Sequence, residues 1–169
     1  TAMAYADLRD FLARLEAEGE LVRITAPVSA YLEITEITER VSKGPDAQNK
    51  ALLFENVAGS TMPVLINAFG SARRMALALG ADDLEEVRHK LGKLVDPRLP
   101  QGMGAMMKRG SEMLAALHSI GLGPSRVRRA PCQEVVITDN PSLDLLPILT
   151  CWPEDGGPYI TLPQVITRD

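Results

Sequence analysis

Hydrophobic residues recur every three or four positions in five segments of the chain, and this spacing predicts amphipathic helices. The predicted helices cover residues 5–18, 30–41, 72–79, 84–94 and 106–120. Ser71 and Asp82 precede two of them as candidate N-caps. The segment 30–41, which follows a candidate N-cap at Ser29, is rich in β-branched residues, so a strand remains an alternative there.

Short apolar runs bounded by turn residues predict strands between these helices. The predicted strands cover residues 21–24, 51–57, 63–69, 133–138 and 159–169. Residues 51–57 and 63–69 are close enough in sequence to pair as a hairpin. The strand that begins at Tyr159 continues to Asp169 without a turn or cap. Because an unfinished strand offers unpaired N–H and C=O groups, we expect more polypeptide to follow it.

The mixture of helices and strands predicts an α/β (α+β) fold. Residues 3–95 are predicted to form a mixed α/β lobe. The lobe is taken to start at Met3 because Thr1 and Ala2 are interpreted as a cloning or protease scar. Residues 96–129 are predicted to contain a Pro- and Gly-rich linker and a Met-rich helix. The methionines of this segment, Met103, Met106, Met107 and Met113, either fill an uneven core or adapt to a partner lobe or a ligand. Residues 130–169 then start a further domain.

Charge and composition exclude several classes of protein. The 18 basic and 22 acidic residues give a net charge of −4, which argues against a nucleic-acid partner. No apolar run approaches the roughly 18 residues needed for a membrane span, and no secretory signal opens the chain. A cytoplasmic location is therefore expected. Cys132 and Cys151 have no metal-binding or redox spacing and are expected to be reduced thiols.

Familiar catalytic and nucleotide-binding motifs are absent from the sequence. It contains no Gly-x-Gly-x-x-Gly, Walker loop, Gly-x-Ser-x-Gly or His-Glu-x-x-His. The two histidines, His89 and His118, do not form a recognisable pair with a nucleophile. Glu154 and Asp155 precede two glycines, where they either serve in acid/base or metal chemistry or form a solvated loop tip.

The last block of the chain resembles the hallmark of the UbiD family of (de)carboxylases. It reads Asp144-Leu-Leu-Pro-Ile-Leu-Thr-Cys-Trp-Pro-Glu-Asp-Gly-Gly-Pro-Tyr-Ile-Thr-Leu-Pro-Gln-Val-Ile-Thr-Arg-Asp169. Other blocks resemble the same family in the same order: Leu8-Arg-Asp-Phe-Leu12, Gly19-Glu-Leu-Val22, Leu32-Glu-Ile-Thr-Glu36, Ala51-Leu-Leu-Phe-Glu-Asn56, Pro63-Val-Leu-Ile-Asn67 with Gly70-Ser71, and Ala130-Pro-Cys-Gln-Glu134. The resemblance therefore covers nearly the whole chain.

The resemblance implies a reversible, non-oxidative decarboxylase of aromatic or α,β-unsaturated carboxylic acids. Such enzymes use prenylated FMN, which acts as the electron sink when CO₂ leaves, together with Mn²⁺ and K⁺. Residues 130–169 would begin the split β-barrel that holds the flavin. Thr161 and Gln164 lie on the strand that resembles the first strand of that barrel, and they are the candidate cofactor-binding residues. Facing a neighbouring strand is their alternative role.

The family's metal ligands and catalytic Arg and Glu residues follow the block that ends this chain, so none is assigned here. We therefore expect an N-terminal fragment that is inactive alone, binds no cofactor firmly and belongs to a homo-oligomer when full length. Two alternatives remain open. The chain could be an accessory subunit that completes a split carboxylase, or a flavin-binding module with a redox function.

Overall fold

The structure is a computed structural model, and it describes most of the chain. The described residues are 5–95, 103–104, 106–107, 110–111, 114, 128, 130 and 133–160. The helices and strands with assigned bounds are α1 (Leu8–Ala17), β1 (Leu21–Ile24), α2 (Glu33–Ser42), β2 (Ala51–Phe54), β3 (Val64–Ile66), α3 (Ala72–Ala78) and α4 (Leu84–Val95). Short 3₁₀ turns cover Asp46–Gln48 and Leu143–Leu145.

The three strands form one mixed sheet in the order β1-β2-β3. Strands β1 and β2 are parallel, with Leu21 opposite Ala51, and α2 provides the crossover between them. Strands β2 and β3 are antiparallel, with Leu53 opposite Leu65, which confirms the predicted hairpin. Helices around a mixed sheet confirm the predicted α/β class.

The core lies on both faces of β2, all four residues of which are buried. Because side chains alternate along a strand, successive residues enter different clusters. Leu52 and Phe54 pack with Ile34 of α2 in one cluster. Ala51 packs with side chains from α1 and α3 in the other. This position explains why the β2 sequence is a continuous apolar run rather than an alternating one.

Two helices begin later than their hydrophobic spacing predicts. Helix α1 begins at Leu8 because the Asp7 carboxylate accepts the N–H groups of Arg9 and Asp10 as an N-cap. Helix α2 begins at Glu33 because Leu32 has a positive φ of 63°, which a helix cannot include. The helical interpretation of this β-branched segment is nonetheless confirmed.

A buried arginine joins α3 to the sheet. Arg74 is fully buried, and its guanidinium donates to the Asn67 backbone oxygen at 3.2 Å and to the Asn49 backbone oxygen at 2.6 Å. It also donates to Glu20 Oε2 at 2.9 Å, while Lys50 Nζ donates to the other oxygen of that carboxylate at 2.9 Å. Partners from three segments therefore satisfy one buried charge, as a buried ion requires.

The strand predicted over 133–138 is wrong in this structure. Residues 135–138 have neither helical nor strand structure and are exposed, because no neighbouring strand among the described residues pairs with them. Tyr159 and Ile160 are not in a strand either, and the remainder of the predicted strand 159–169 lies outside the described residues. In the predicted helix 106–120, the five described residues are helical.

The chain divides into two compact units, and each is described by itself. One contains α4 and extends from Leu84 to Pro141. The other contains α1 to α3, the sheet, and the segment that begins at Ser142. Across the described ranges, no helix combines the length and apolar character needed to cross a membrane.

Candidate functional site

The family-like block at the end of the chain attaches to the segment that precedes α2. The backbone N–H of Leu32 donates to the oxygen of Thr150 at 2.9 Å, and the N–H of Thr150 donates to the oxygen of Ala30 at 3.2 Å. Tyr31 and Thr150 thus form an isolated parallel bridge. This bridge places the start of the following loop (residues 151–157) beside α2, where Cys151, Trp152 and Pro153 line a common cleft with it.

Asp155 fixes the conformation of this loop. Its carboxylate accepts the backbone N–H groups of Cys151 and Trp152 at 3.0 and 2.8 Å. The backbone N–H of Asp155 donates to the backbone oxygen of Trp152 at 3.1 Å. The two ends of the loop are joined by a further hydrogen bond, from the N–H of Tyr159 to the backbone oxygen of Leu149 at 3.1 Å. Asp155 therefore serves the loop's structure, since its carboxylate is the local partner for two otherwise unpaired donors.

A cleft of about 530 Å³ lies between the loop and α2. Tyr31 and Trp152 contribute aromatic walls, and three glutamates line one side: Glu33, Glu36 and Glu39. Glu36 accepts a hydrogen bond from Arg40 at 2.7 Å, and Glu39 pairs with Lys43. The lining residues include no basic side chain, so the cleft has an acidic wall.

This cleft does not fit a flavin mononucleotide. The phosphate of such a cofactor is negatively charged and requires backbone N–H donors, basic side chains or a metal ion. The cleft offers carboxylates, and the described residues contain no group of three or more His, Cys, Asp or Glu side chains placed to hold a metal. The acidic side of this cleft therefore does not suit the phosphate of a flavin.

A second, apolar groove of about 290 Å³ runs beside β3. Its walls are the three residues of β3, the segment Leu146–Leu149, and Tyr159 with Ile160. Hydrogen bonding with Cys151 raises the pKa of Tyr159, and its partial desolvation and the nearby Asp155 act in the same direction. Tyr159 is therefore a neutral phenol at physiological pH.

The two candidate cofactor-binding residues, Thr161 and Gln164, lie outside the described residues, so their role stays a prediction. Reasoning from sequence also missed two features. The spacing of three places Glu33, Glu36 and Glu39 on neighbouring turns of α2, but nothing in the sequence indicated the loop that lies opposite them. The burial of Arg74 could not be predicted from the sequence, because the adjacent residue, Arg73, is also an arginine and yet is exposed.

Two family models match the chain in sequence. The N-terminal domain of 3-octaprenyl-4-hydroxybenzoate carboxy-lyase matches residues 12–94. The Rift-related domain of the same carboxy-lyase matches residues 125–169. Together they cover well over half of the chain, which therefore belongs to the UbiD family.

Known relatives are much longer than this chain. An uncharacterized protein from Aquifex aeolicus is 48% identical over 165 residues, which are 98% of this chain and 33% of that protein. Vanillic acid decarboxylase from Sedimentibacter hydroxybenzoicus, in its open form, is 29% identical with a TM-score of 0.67 over 92% of this chain and 30% of that one. The UbiD-class enzyme HmfF from Pelotomaculum thermopropionicum, in complex with FMN, is 29% identical with a TM-score of 0.58 over 90% and 28%. The chain thus spans about a third of the length of these relatives.

Proposed function

We propose that the chain is the N-terminal part of a carboxy-lyase that reversibly decarboxylates an aromatic or α,β-unsaturated carboxylic acid through prenylated FMN. In this proposal, residues 3–95 form the N-terminal lobe, residues 96–129 connect it, and residues 130–169 begin the flavin-binding domain. Mn²⁺, K⁺ and the catalytic groups belong to the longer protein. That protein is a homo-oligomer in this proposal.

The observation that carries the proposal is the order and extent of the family matches. Both domains of a carboxy-lyase match in sequence order, yet the chain covers only 28 to 33% of each relative described above. One structural neighbour is named a decarboxylase, and HmfF has been solved with FMN and, in an evolved dimeric form, with prenylated FMN. These neighbours supply the cofactor and the reaction class for the proposal.

The described structure supports a scaffolding role for this part of the enzyme. Asp155 holds the loop of residues 151–157, and the cleft between this loop and α2 has an acidic wall that does not suit a phosphate. Thr161 and Gln164 are proposed to line the flavin pocket once the remainder of the domain is present. In the isolated chain we therefore expect neither firm flavin binding nor turnover.

The test compares two proteins under the same conditions. The first is the chain of 169 residues, and the second is the same chain fused to the two thirds of the Aquifex aeolicus relative that it does not match. Each is reconstituted with prenylated FMN, Mn²⁺ and K⁺ and offered a panel of aromatic and α,β-unsaturated acids. Flavin absorbance after desalting reports binding, and release of CO₂ reports activity.

We expect the fused protein to retain flavin and release CO₂ from at least one acid, and the short chain to do neither. A flavin-loaded fusion that is inactive with every acid, or that only oxidises or reduces substrates, would contradict the decarboxylase proposal. Turnover by the short chain would contradict the assignment of catalysis to the longer protein. The intact mass of the protein in its source also separates the 18.3 kDa chain from a product about three times larger.

A further inference from the structure

The cleft between α2 and the loop of residues 151–157 has two aromatic walls that are open to a ligand. Tyr31 is 61% exposed and Trp152 is 50% exposed. The cleft volume of about 530 Å³ is that of a small-molecule site. Aromatic faces attract cations through the quadrupole of the ring. The two aromatic walls therefore favour a positively charged group.

The carboxylates on α2 keep acceptor capacity for such a group. Each of the three glutamates uses one carboxylate oxygen within the chain: Glu33 for a backbone N–H, Glu36 for Arg40 and Glu39 for Lys43. The side chains of Arg40 and Lys43 are 77% and 73% exposed, and exposed pairs of this kind are weak. They therefore compete little with a ligand that enters the cleft.

A hydroxyl group without a partner also belongs to this cleft. Thr35 lines it, and the Oγ1 atom of Thr35 is buried and has no hydrogen-bond partner. The nearby Thr38 hydroxyl, in contrast, donates to the backbone oxygen of Ile34 at 2.7 Å. A buried hydroxyl costs free energy until a partner reaches it. Thr35 therefore indicates a polar ligand independently of the acidic side chains.

We propose that this cleft binds a guanidinium group. A guanidinium is planar, stacks on aromatic faces and carries five N–H donors in a fixed fork, which carboxylate and hydroxyl oxygens accept together. An ammonium group is a compact and strongly hydrated charge that does not stack in this way. The inference goes beyond the proposed function, because it concerns a ligand opposite in charge to an acid substrate and to a flavin phosphate.

The test titrates the chain with Nα-acetyl-arginine methylamide, which presents a guanidinium without the charged ends of the amino acid. Trp152 is the single tryptophan, so its fluorescence reports occupation of the cleft, and calorimetry gives the Kd. We expect saturable one-to-one binding with a Kd of about 1 mM or below, which is reasonable for a ligand of this size. The citrulline analogue has the same shape without the charge and should bind at least about tenfold more weakly. The lysine analogue should bind at least about threefold more weakly.

Variants test whether the cleft residues make the contacts, with calorimetry as the readout. Glu36→Gln and Trp152→Leu should each weaken binding at least about fivefold. Thr35→Val removes the unpartnered hydroxyl at nearly constant volume and should weaken binding at least about threefold without lowering stability. Glu16→Gln is the matched control, because Glu16 and Glu36 are 50% and 53% exposed and each accepts from an arginine. It should bind within about twofold of the original chain. Circular dichroism checks that each variant is folded.

A guanidinium can come from a small guanidino compound or from an arginine side chain of another polypeptide, and a further arm distinguishes them. L-arginine has free amino and carboxyl groups, so binding at least about tenfold tighter than that of the capped compound would assign a small molecule. Equal or weaker binding would assign an arginine side chain. The titration is repeated with the fusion to the Aquifex aeolicus sequence described above. We expect the Kd to agree within about threefold.

Several results would overturn the inference. They are no saturable binding up to about 20 mM of the capped arginine, and binding of the citrulline analogue within about twofold of it. Equal binding of the lysine analogue would reject a guanidinium site. Glu36→Gln and Trp152→Leu chains that bind as well as Glu16→Gln would place the ligand elsewhere. Loss of binding in the fused protein would make the cleft an internal contact. None of these titrations needs flavin or turnover, so they stand apart from the test of the proposed function.

Discussion

Replacing Arg74 with methionine tests the buried ionic network that joins α3 to the sheet. Methionine is similar in length and apolar, so the substitution removes the charge and the donors while filling much of the volume. The guanidinium is fully buried and has partners on Glu20, Asn49 and Asn67. We expect the variant to lose a large part of the free energy of unfolding.

The magnitude follows from the groups that lose their partner. Removing one member of a buried ion pair costs about 3–5 kcal/mol. Glu20 keeps its bond from Lys50 Nζ at 2.9 Å, which reduces this cost. The part-buried backbone oxygen of Asn49 loses a 2.6 Å hydrogen bond, and an acceptor left without a partner costs about 1–3 kcal/mol when it is fully buried. Because such terms do not add fully, we expect a total of about 3–5 kcal/mol.

The adjacent residue provides the control. Arg73 pairs with Glu18 at 2.6 Å, but its side chain is 48% exposed, so Arg73→Met should cost at most about 1 kcal/mol. Urea unfolding followed by circular dichroism gives both free energies. Adding Glu20→Gln to Arg74→Met should recover at most about 1 kcal/mol, because the carboxylate that has lost Arg74 still keeps its bond from Lys50. If Arg74→Met and Arg73→Met differ by less than about 1 kcal/mol, the network does not stabilise the fold as argued.

Three further predictions concern single side chains. Burial acts to raise the pKa of Glu20, but hydrogen bonds from Lys50 and Arg74 outweigh this effect and hold the pKa below 4.5. The free energy of unfolding should therefore fall as the pH drops below 4.5, because protonation of Glu20 removes these bonds. Urea titrations of Glu20→Gln at several pH values should show a weaker fall. Gly70→Ala would place Cβ 1.7 Å from the side-chain oxygen of Asn67 and should cost about 1–3 kcal/mol of the free energy of unfolding in urea. In the control Gly92→Ala, the added Cβ on α4 meets nothing within 4 Å, and the variant should gain about 0.5–1 kcal/mol. Equal effects of the two substitutions would contradict this prediction. Asp155→Ala removes two loop hydrogen bonds and should shift the fluorescence of Trp152, the single tryptophan. The free energy of unfolding should change by about 1 kcal/mol or less. An unchanged fluorescence spectrum would contradict the dependence of the loop on this carboxylate.

Local features of the fold were predictable from sequence because they depend on neighbouring residues. The bounds of β1 agree with its apolar run, and α3 begins after Ser71, whose hydroxyl accepts the N–H of Arg74. Features that depend on distant partners were not predictable. The parallel pairing of β1 with β2 requires a crossover, and the positive φ of Leu32 accompanies a bridge to residues more than a hundred positions away.

The candidate site shows the same division. The sequence indicated that the block from Asp144 onward is functionally important. In the structure, part of that block holds the backbone in position. Thr150 bridges to the segment before α2, and Asp155 shapes the loop that follows.

These contacts use backbone groups and the Asp155 carboxylate to hold the loop in position, and they leave Glu154 exposed. Hydrogen bonding with Cys151 raises the pKa of the Tyr159 phenol. A sequence motif that is typical of a family can therefore serve to connect an N-terminal lobe to the next domain, and it need not contain the catalytic residues. The decisive comparison is Asp155→Ala in the fused protein described above. A loss of flavin binding with unchanged turnover per bound flavin would assign the loop to assembly, and unchanged binding with lost turnover would assign it to chemistry.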